Sequence, residues 1–207
     1  LAYNTQGTGI RVACDDCQLW IDKAAENGER YDMLFIDPAR RATDGKRIFA
    51  LSECQPDVTT MLHTMRNVSK ALMVKASPML DITHTASELP GATRIIALGT
   101  VTECKELDAI VNLEAECSEY SVEATTLTKD GVSTFAFTPS QERNAAATYA
   151  MPQEGGYIYE AYPAVMKAAP FNLLSQQFEI GKLHPNTHLY TSATLTERQK
   201  EFPGQIW

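Results

Sequence analysis

The sequence lacks both an apolar run that could cross a membrane and a secretory signal at its start. No stretch approaches the roughly 18 consecutive apolar residues that are typical of a membrane helix. The first residues, Leu1 to Asn4, do not combine a charged segment with an apolar one, as a signal peptide does. The sequence also has no initiator methionine. We therefore expect a processed product or a fragment of a longer protein.

Positive charge is scarce. Eighteen lysines and arginines stand against 26 aspartates and glutamates, which gives a net charge of −8. The surface as a whole therefore repels nucleic acid, and any such contact needs a local basic patch. Hydrophobic residues make up 44% of the 207 residues and charged residues 21%, close to the usage of globular proteins. This composition excludes a largely disordered chain, a collagen-like chain and a coiled coil.

Cysteine is also scarce, and the five cysteines are an odd number. A disulfide scaffold is not expected in a chain of this length, so we predict reduced thiols and a cytoplasmic protein. Cys14 and Cys17 form a single CxxC, whereas a zinc site needs further ligands at metal spacing. His184 and His188 are four residues apart, with Pro185 between them. A metal or redox role for these residues remains a minor alternative.

The first hundred residues alternate short apolar runs with segments of helical periodicity. Helices are predicted after Asp16, after Asp57 and up to Leu89. Strands are predicted at 10–14, 31–36, 71–75 and 94–98. This alternation favours an α/β domain with a parallel sheet.

The second half has a different pattern. Asp130-Gly131 predicts a hairpin between two strands, one within 117–127 and one at 132–137, at the end of the α/β sheet. We then predict a strand at 157–160, a helix from Pro163 that is disturbed at Pro170, and a strand at 188–191. The predicted units are residues 1–139, a linker at 140–156 and a small domain at 157–207.

Polar residues follow three of the predicted strands, at the edge where open α/β sheets bind ligands. Asp37 is the most informative, because Pro38 keeps the residue before it extended and so fixes the carboxylate at the strand exit. A basic loop follows and is a candidate anion site, with Arg40, Arg41, Lys46 and Arg47. Lys75 and Asp16 follow two other strands, and their alternative roles are an ion pair and a helix cap.

Several motifs resemble those of a known family. Phe35 to Arg41, FIDPARR, resembles the fourth motif of class I S-adenosylmethionine-dependent methyltransferases. Three further segments strengthen the resemblance: Lys75 to Pro78, Tyr157 to Glu160, and His184 to Ser192. Together with Phe-Pro-Gly at 202–204, they resemble bacterial methyltransferase-like proteins with ferredoxin-like and THUMP-like C-terminal regions.

The resemblance implies a function for individual residues. Asp37 would position the methyl acceptor, and Asp16, Cys17 and Pro38 would contact S-adenosylmethionine. The residues that would hold substrate phosphate or carboxylate are Arg40, Arg41, Arg47 and Lys75. The acceptor would be RNA, an inference from the THUMP-containing relatives. No cysteine lies between residues 75 and 78, so transfer to nitrogen or oxygen is favoured over covalent attack on a pyrimidine.

The sequence also departs from the family pattern. No glycine-rich loop follows a strand, and Gly7-Thr8-Gly9 has no strand before it. The family's sheet has the order 3-2-1-4-5-7-6, and the chain begins after the first two strands of that order. We therefore expect a sheet that needs an upstream segment or a partner chain to be complete. The alternative function is a non-catalytic module that binds RNA or protein.

Overall fold

The computed structural model describes residues 4–40 and 50–207 of the chain. Residues 4–9 form turns, and helix α1, Cys17–Glu26, follows. Both ends of α1 are as predicted, with Asp16 as the N-cap and a positive φ at Gly28 just beyond the C-terminus. Ile21 and Ala24 form its buried face.

The predicted strand at 10–14 is not formed. These residues lie in no strand, and Ile10 is 60% exposed. A strand needs a neighbour to pair its backbone groups, and none of the described strands lies beside this segment. The sequence pattern was read correctly as apolar, but the partner that would make it a strand is not among the described residues.

A six-stranded sheet forms the larger part of the molecule. Its strands are β1 (Leu34–Ile36), β4 (Ala71–Ala76), β5 (Ala92–Thr100), β6 (Cys104–Asn112), β7 (Ser121–Thr128) and β8 (Gly131–Phe137). Their order across the sheet is β1-β4-β6-β5-β7-β8. The pairs β1–β4 and β5–β7 are parallel and the other three are antiparallel.

The expectation of a parallel sheet is therefore corrected to a mixed one. Strand β6 was missed in the sequence and lies antiparallel between β4 and β5. It carries three charged side chains, at Lys105, Glu106 and Asp108, which hide its apolar alternation. The hairpin of β7 and β8 is confirmed at the end of the sheet.

The two faces of the sheet differ in burial. On β4, Leu72, Val74 and Ala76 are buried, and they pair with Val111, Ala109 and Leu107 of β6. Helices α3, Ile82–Glu88, and α5, Pro163–Ala168, contact the sheet and account for this apolar face. The opposite face is more open, and Phe35 on edge strand β1 is 58% exposed.

Short elements connect the strands near the carboxyl end of β1. They are β2 (Ala39–Arg40), a 3₁₀ turn (Leu51–Glu53), β3 (Cys54–Gln55) and helix α2 (Val58–Met65). Strands β2 and β3 pair with each other. Asp57 caps α2, and Met61 and Met65 lie on its buried face, as the periodicity predicts.

A second, five-stranded sheet occupies the rest of the chain. Its strands are β9 (Thr148–Tyr149), β10 (Tyr157–Ala161), β11 (Gly181–Lys182), β12 (Leu189–Ser192) and β13 (Gly204–Ile206). Only the β9–β11 pair is parallel, so this sheet is also mixed. The remaining helices are α4 (Pro139–Asn144), α6 (Phe171–Phe178) and α7 (Glu197–Lys200).

The predicted helix from Pro163 is interrupted at Pro170, as expected. It forms α5 and α6, with Ala169 left-handed between them at a φ of 60°. The two sheets share one core, in which Phe178 of α6 contacts Phe135 of β8 with ring centres 6.1 Å apart. In the part of the chain that the structure describes, no helix has the length and apolarity needed to cross a membrane.

Candidate functional site

The carboxyl ends of β1 and β4 bring two predicted site residues together. Ile36 of β1 pairs with Val74 of β4 in a parallel register, so Asp37 and Lys75 follow at the same edge of the sheet. Lys75 Nζ donates a 3.0 Å hydrogen bond to Asp37 Oδ2. Pro38 is buried directly after Asp37, which fits the expectation that it holds the carboxylate at the strand exit.

Lys75 is surrounded by acidic groups. Besides Asp37, Glu106 Oε2 lies 3.8 Å from Lys75 Nζ. The side chain of Lys75 is about a third exposed, with 35% of its surface accessible. The hydrogen bond to Asp37 raises the pKa of Lys75 above its usual value, against the opposing effect of burial. Lys75 therefore stays protonated and has the acidic neighbour that the sequence analysis named as an alternative.

Asp108 is a site residue that the sequence analysis missed. It pairs directly with Lys75 across the β4–β6 register and is only 4% exposed. Its Oδ1 is buried and has no hydrogen-bond donor. Burial, followed by the charge of Glu106, raises the pKa of Asp108 to about 6. The alternation Glu106-Leu107-Asp108 was the available signal, because residues two apart on a strand share a face.

A small cleft lies over these side chains. It has a volume of about 110 Å³ and is lined by residues that include Asp37, Pro38, Lys75 and Glu106. Larger clefts occur elsewhere, one of 580 Å³ beside Tyr31 at the amino ends of β1 and β4. Ligands of open α/β sheets bind at the carboxyl ends of strands. We therefore regard the smaller cleft as the candidate site.

The predicted cofactor contacts at the start of α1 are helix-capping residues in this structure. Asp16 Oδ1 accepts hydrogen bonds from the backbone nitrogens of Gln18 and Leu19, at 2.9 and 3.1 Å. Cys17 is the first residue of α1 and is exposed. No described hydrogen bond or ion pair joins either residue to Asp37 or Lys75.

The basic loop can be placed only in part. Arg40 belongs to β2, where its backbone pairs with Cys54, but its side chain is not among the described atoms. Arg41 and Arg47 lie outside the described residues. Their predicted contacts with substrate phosphate stay predictions.

The described residues do not by themselves form a complete S-adenosylmethionine site. Gly7 and Gly9 have positive φ values, but no atom lies within 4 Å of where their side chains would begin. They therefore form an open turn rather than a cradle for a ligand. The carboxylate of Asp16 is already used as a helix cap.

The cysteines and histidines do not gather into a metal centre in the described part of the chain. Cys14 and Cys17 are exposed free thiols. Among residues 4–40 and 50–207, no three histidine, cysteine, aspartate or glutamate side chains are placed to hold a metal ion. His188 instead stacks on Phe171 with ring centres 3.6 Å apart.

Comparison with known proteins supports a methyltransferase-like protein. A crystal structure of a candidate methyltransferase from Porphyromonas gingivalis W83 superposes with a TM-score of 0.79 at 28% sequence identity. The match covers 91% of this chain and 45% of the other, so this chain spans less than half of that protein's length. A family model for a ferredoxin-like domain matches residues 157–203. No curated protein matches the sequence significantly.

Proposed function

We propose that this chain is part of an S-adenosylmethionine-dependent methyltransferase that acts in the cytoplasm on a nitrogen or oxygen atom of RNA. One observation carries the proposal. Asp37, the residue of the methyltransferase-like motif, stands at the carboxyl end of β1 and is held there by Lys75 at 3.0 Å. It does so in a chain that resembles a candidate methyltransferase over 91% of its length.

The strand order supports this assignment. The order β1-β4-β6-β5, with β6 antiparallel, corresponds to the 4-5-7-6 portion of the sheet that the resemblance implies. In this proposal the six-stranded sheet is the C-terminal part of a Rossmann-like methyltransferase sheet, and residues 157–207 form a ferredoxin-like domain after a linker at 140–156. A THUMP-like region lies beyond it in the proteins that the sequence resembles.

The free edge of β1 suggests how the sheet is completed. Among the described strands β1 pairs only with β4, and Met33 and Phe35 beside this edge are half or more exposed. An unpaired strand edge is a template for a further strand. We propose that an upstream segment or a partner chain pairs here and supplies the glycine-rich loop of the cofactor site.

Each predicted site residue has a role in this proposal. Asp37 accepts a hydrogen bond from the acceptor group and orients it, while Lys75 keeps the carboxylate in place. Asp16, Cys17 and Pro38 are retained as the residues that would contact S-adenosylmethionine, which supplies the methyl group when it is bound. The loop residues Arg40, Arg41 and Arg47, together with Lys75, are proposed to bind phosphate.

RNA is proposed as the substrate for two reasons. The sequence resembles THUMP-containing methyltransferase-like proteins, and the loop after Pro38 concentrates positive charge in an acidic chain. Because the net charge is −8, the proposed phosphate contacts are confined to this loop. An RNA complex of this kind should weaken steeply as the salt concentration rises.

Calorimetric titration with S-adenosylmethionine tests the proposal. The titrant is added to this chain and, in parallel, to the same chain extended upstream by the two strands of the complete sheet. Binding only to the extended chain is the expected result. Binding to neither would contradict the methyltransferase and favour a non-catalytic binding module, which the open turn at Gly7 and Gly9 also fits.

A further inference from the structure

Lys75 has more acidic neighbours than one positive charge can balance. Asp37 accepts its hydrogen bond, Glu106 lies 3.8 Å away, and Asp108 is directly opposite on β6. The nearby Lys105 pairs with Glu103 instead. We refer to Asp37, Glu106 and Asp108 as the carboxylate cluster. The cluster carries an excess of negative charge beside the cleft at the end of β4.

One oxygen of the cluster lacks a hydrogen-bond donor. Asp108 is 4% exposed, and its Oδ1 is buried without a partner. Buried polar atoms in native proteins almost always have partners, so an orphaned one indicates a missing group. An ionised carboxylate only accepts hydrogen bonds. The missing group is therefore a hydrogen-bond donor.

The size of the cleft limits what that donor can be. Its volume is about 110 Å³, and a liquid water molecule occupies about 30 Å³. The cleft therefore holds a functional group with its adjacent atoms rather than a whole nucleoside. A hydroxyl has one O–H donor, whereas an amino group has two or three N–H donors and can bridge two carboxylates.

We propose that the carboxylate cluster binds the amino group of the acceptor, so that the modified atom is a nitrogen. The acceptor's identity rests on the proposed function, whereas binding of the amino group can be measured on this chain alone. An aliphatic ammonium and the exocyclic amine of a nucleobase share these N–H donors. The experiment distinguishes these two sources.

Binding should depend on the ionisation of Asp108. Burial and Glu106 hold its pKa at about 6, Asp37 adds to the rise, and Lys75 opposes it. At pH 5, a carboxyl with this pKa is protonated in about nine of ten molecules, whereas at pH 7.5 it is almost fully ionised. Affinity for an ammonium ion that requires the carboxylate should fall by up to about tenfold over this range.

Carboxyl-carbon NMR of the chain measures this directly. The probes are methylammonium chloride, with sodium chloride as the control for ionic strength, and adenosine, with inosine as the control that lacks the amino group. We expect the Asp108 resonance to respond to methylammonium or adenosine and not to either control. Asp108→Asn and Glu106→Gln should each weaken binding at least fivefold. Glu123→Gln is the matched control, because Glu123 is on the same sheet face but binds Arg94.

Each outcome decides a point. A response to adenosine but not inosine supports an exocyclic amine, and a response to methylammonium alone supports an aliphatic amine. Absence of any response to both probes overturns the inference, as does unchanged binding in both Asp108→Asn and Glu106→Gln when their folded spectra are intact. The proposed function is judged separately, because S-adenosylmethionine can bind the extended chain even when this amine site fails.

Discussion

Asp108 is buried at a cost that grows with pH, and Asp108→Asn should remove that cost. The pKa of Asp108 is raised from 3.8 to about 6 by burial and by Glu106. Since the folded protein binds this proton more tightly than the unfolded chain does, the group's stabilising effect is complete below pH 4 and is lost as the pH rises through 6. A shift of about two pKa units corresponds to about 3 kcal/mol of free energy of unfolding.

Urea unfolding of both proteins at several pH values between about 4 and 7.5 measures this effect. The advantage of Asp108→Asn over the wild type should increase by about 3 kcal/mol from the lowest pH to the highest. The new amide adds an offset that does not vary with pH, so only the slope is informative. Glu123→Gln, on the same face, should show no such slope. A flat difference for Asp108→Asn would refute the assigned pKa and its cause.

Three further predictions concern the site and its surroundings. Asp37→Ala in the extended protein should abolish methyl transfer while the circular dichroism spectrum is retained; unchanged turnover would remove Asp37 from the mechanism. Glu88→Gln should destabilise the fold by about 1–3 kcal/mol, because its carboxylate accepts three hydrogen bonds from residues 51–52. These bonds outweigh burial and lower the pKa of Glu88, so thermal melts should show that the loss is greatest near neutral pH and shrinks as the pH falls through this lowered pKa. Gly91→Ala should lower the melting temperature, since φ is 92° and the added carbon would lie 2.2 Å from the Asn112 carbonyl oxygen; an unchanged midpoint would contradict this geometry.

Local patterns were sufficient for most helices and strands. Asp16, Asp57 and Asp81 each cap a helix, and the first two were identified from sequence because an N-cap needs only a short polar side chain before an apolar periodicity. The hairpin at Asp130-Gly131 depends on a two-residue turn signal. The break at Pro170 depends on the missing backbone N–H of proline. All of these features are decided within a few residues.

The errors have a common cause. Strand β6 was missed because Glu106 and Asp108 give its sequence a polar appearance, although its other face is buried against the core. Residues 10–14 were predicted as a strand because they are apolar, although no described strand pairs with them. Whether a segment becomes a strand depends on its neighbours in the sheet, and the sequence around the segment does not specify those neighbours.

The same distinction applies to the candidate site. The sequence by itself identified Asp37, Pro38 and Lys75, because each follows an apolar run and the order of residues along a strand determines which one stands at its end. Only the tertiary structure showed that Lys75 pairs with Asp37 and that Glu106 and Asp108 join them from an antiparallel strand. A contact across 30 residues is set by sheet register and burial. The raised pKa of Asp108 arises from that burial, and no local sequence pattern contains it.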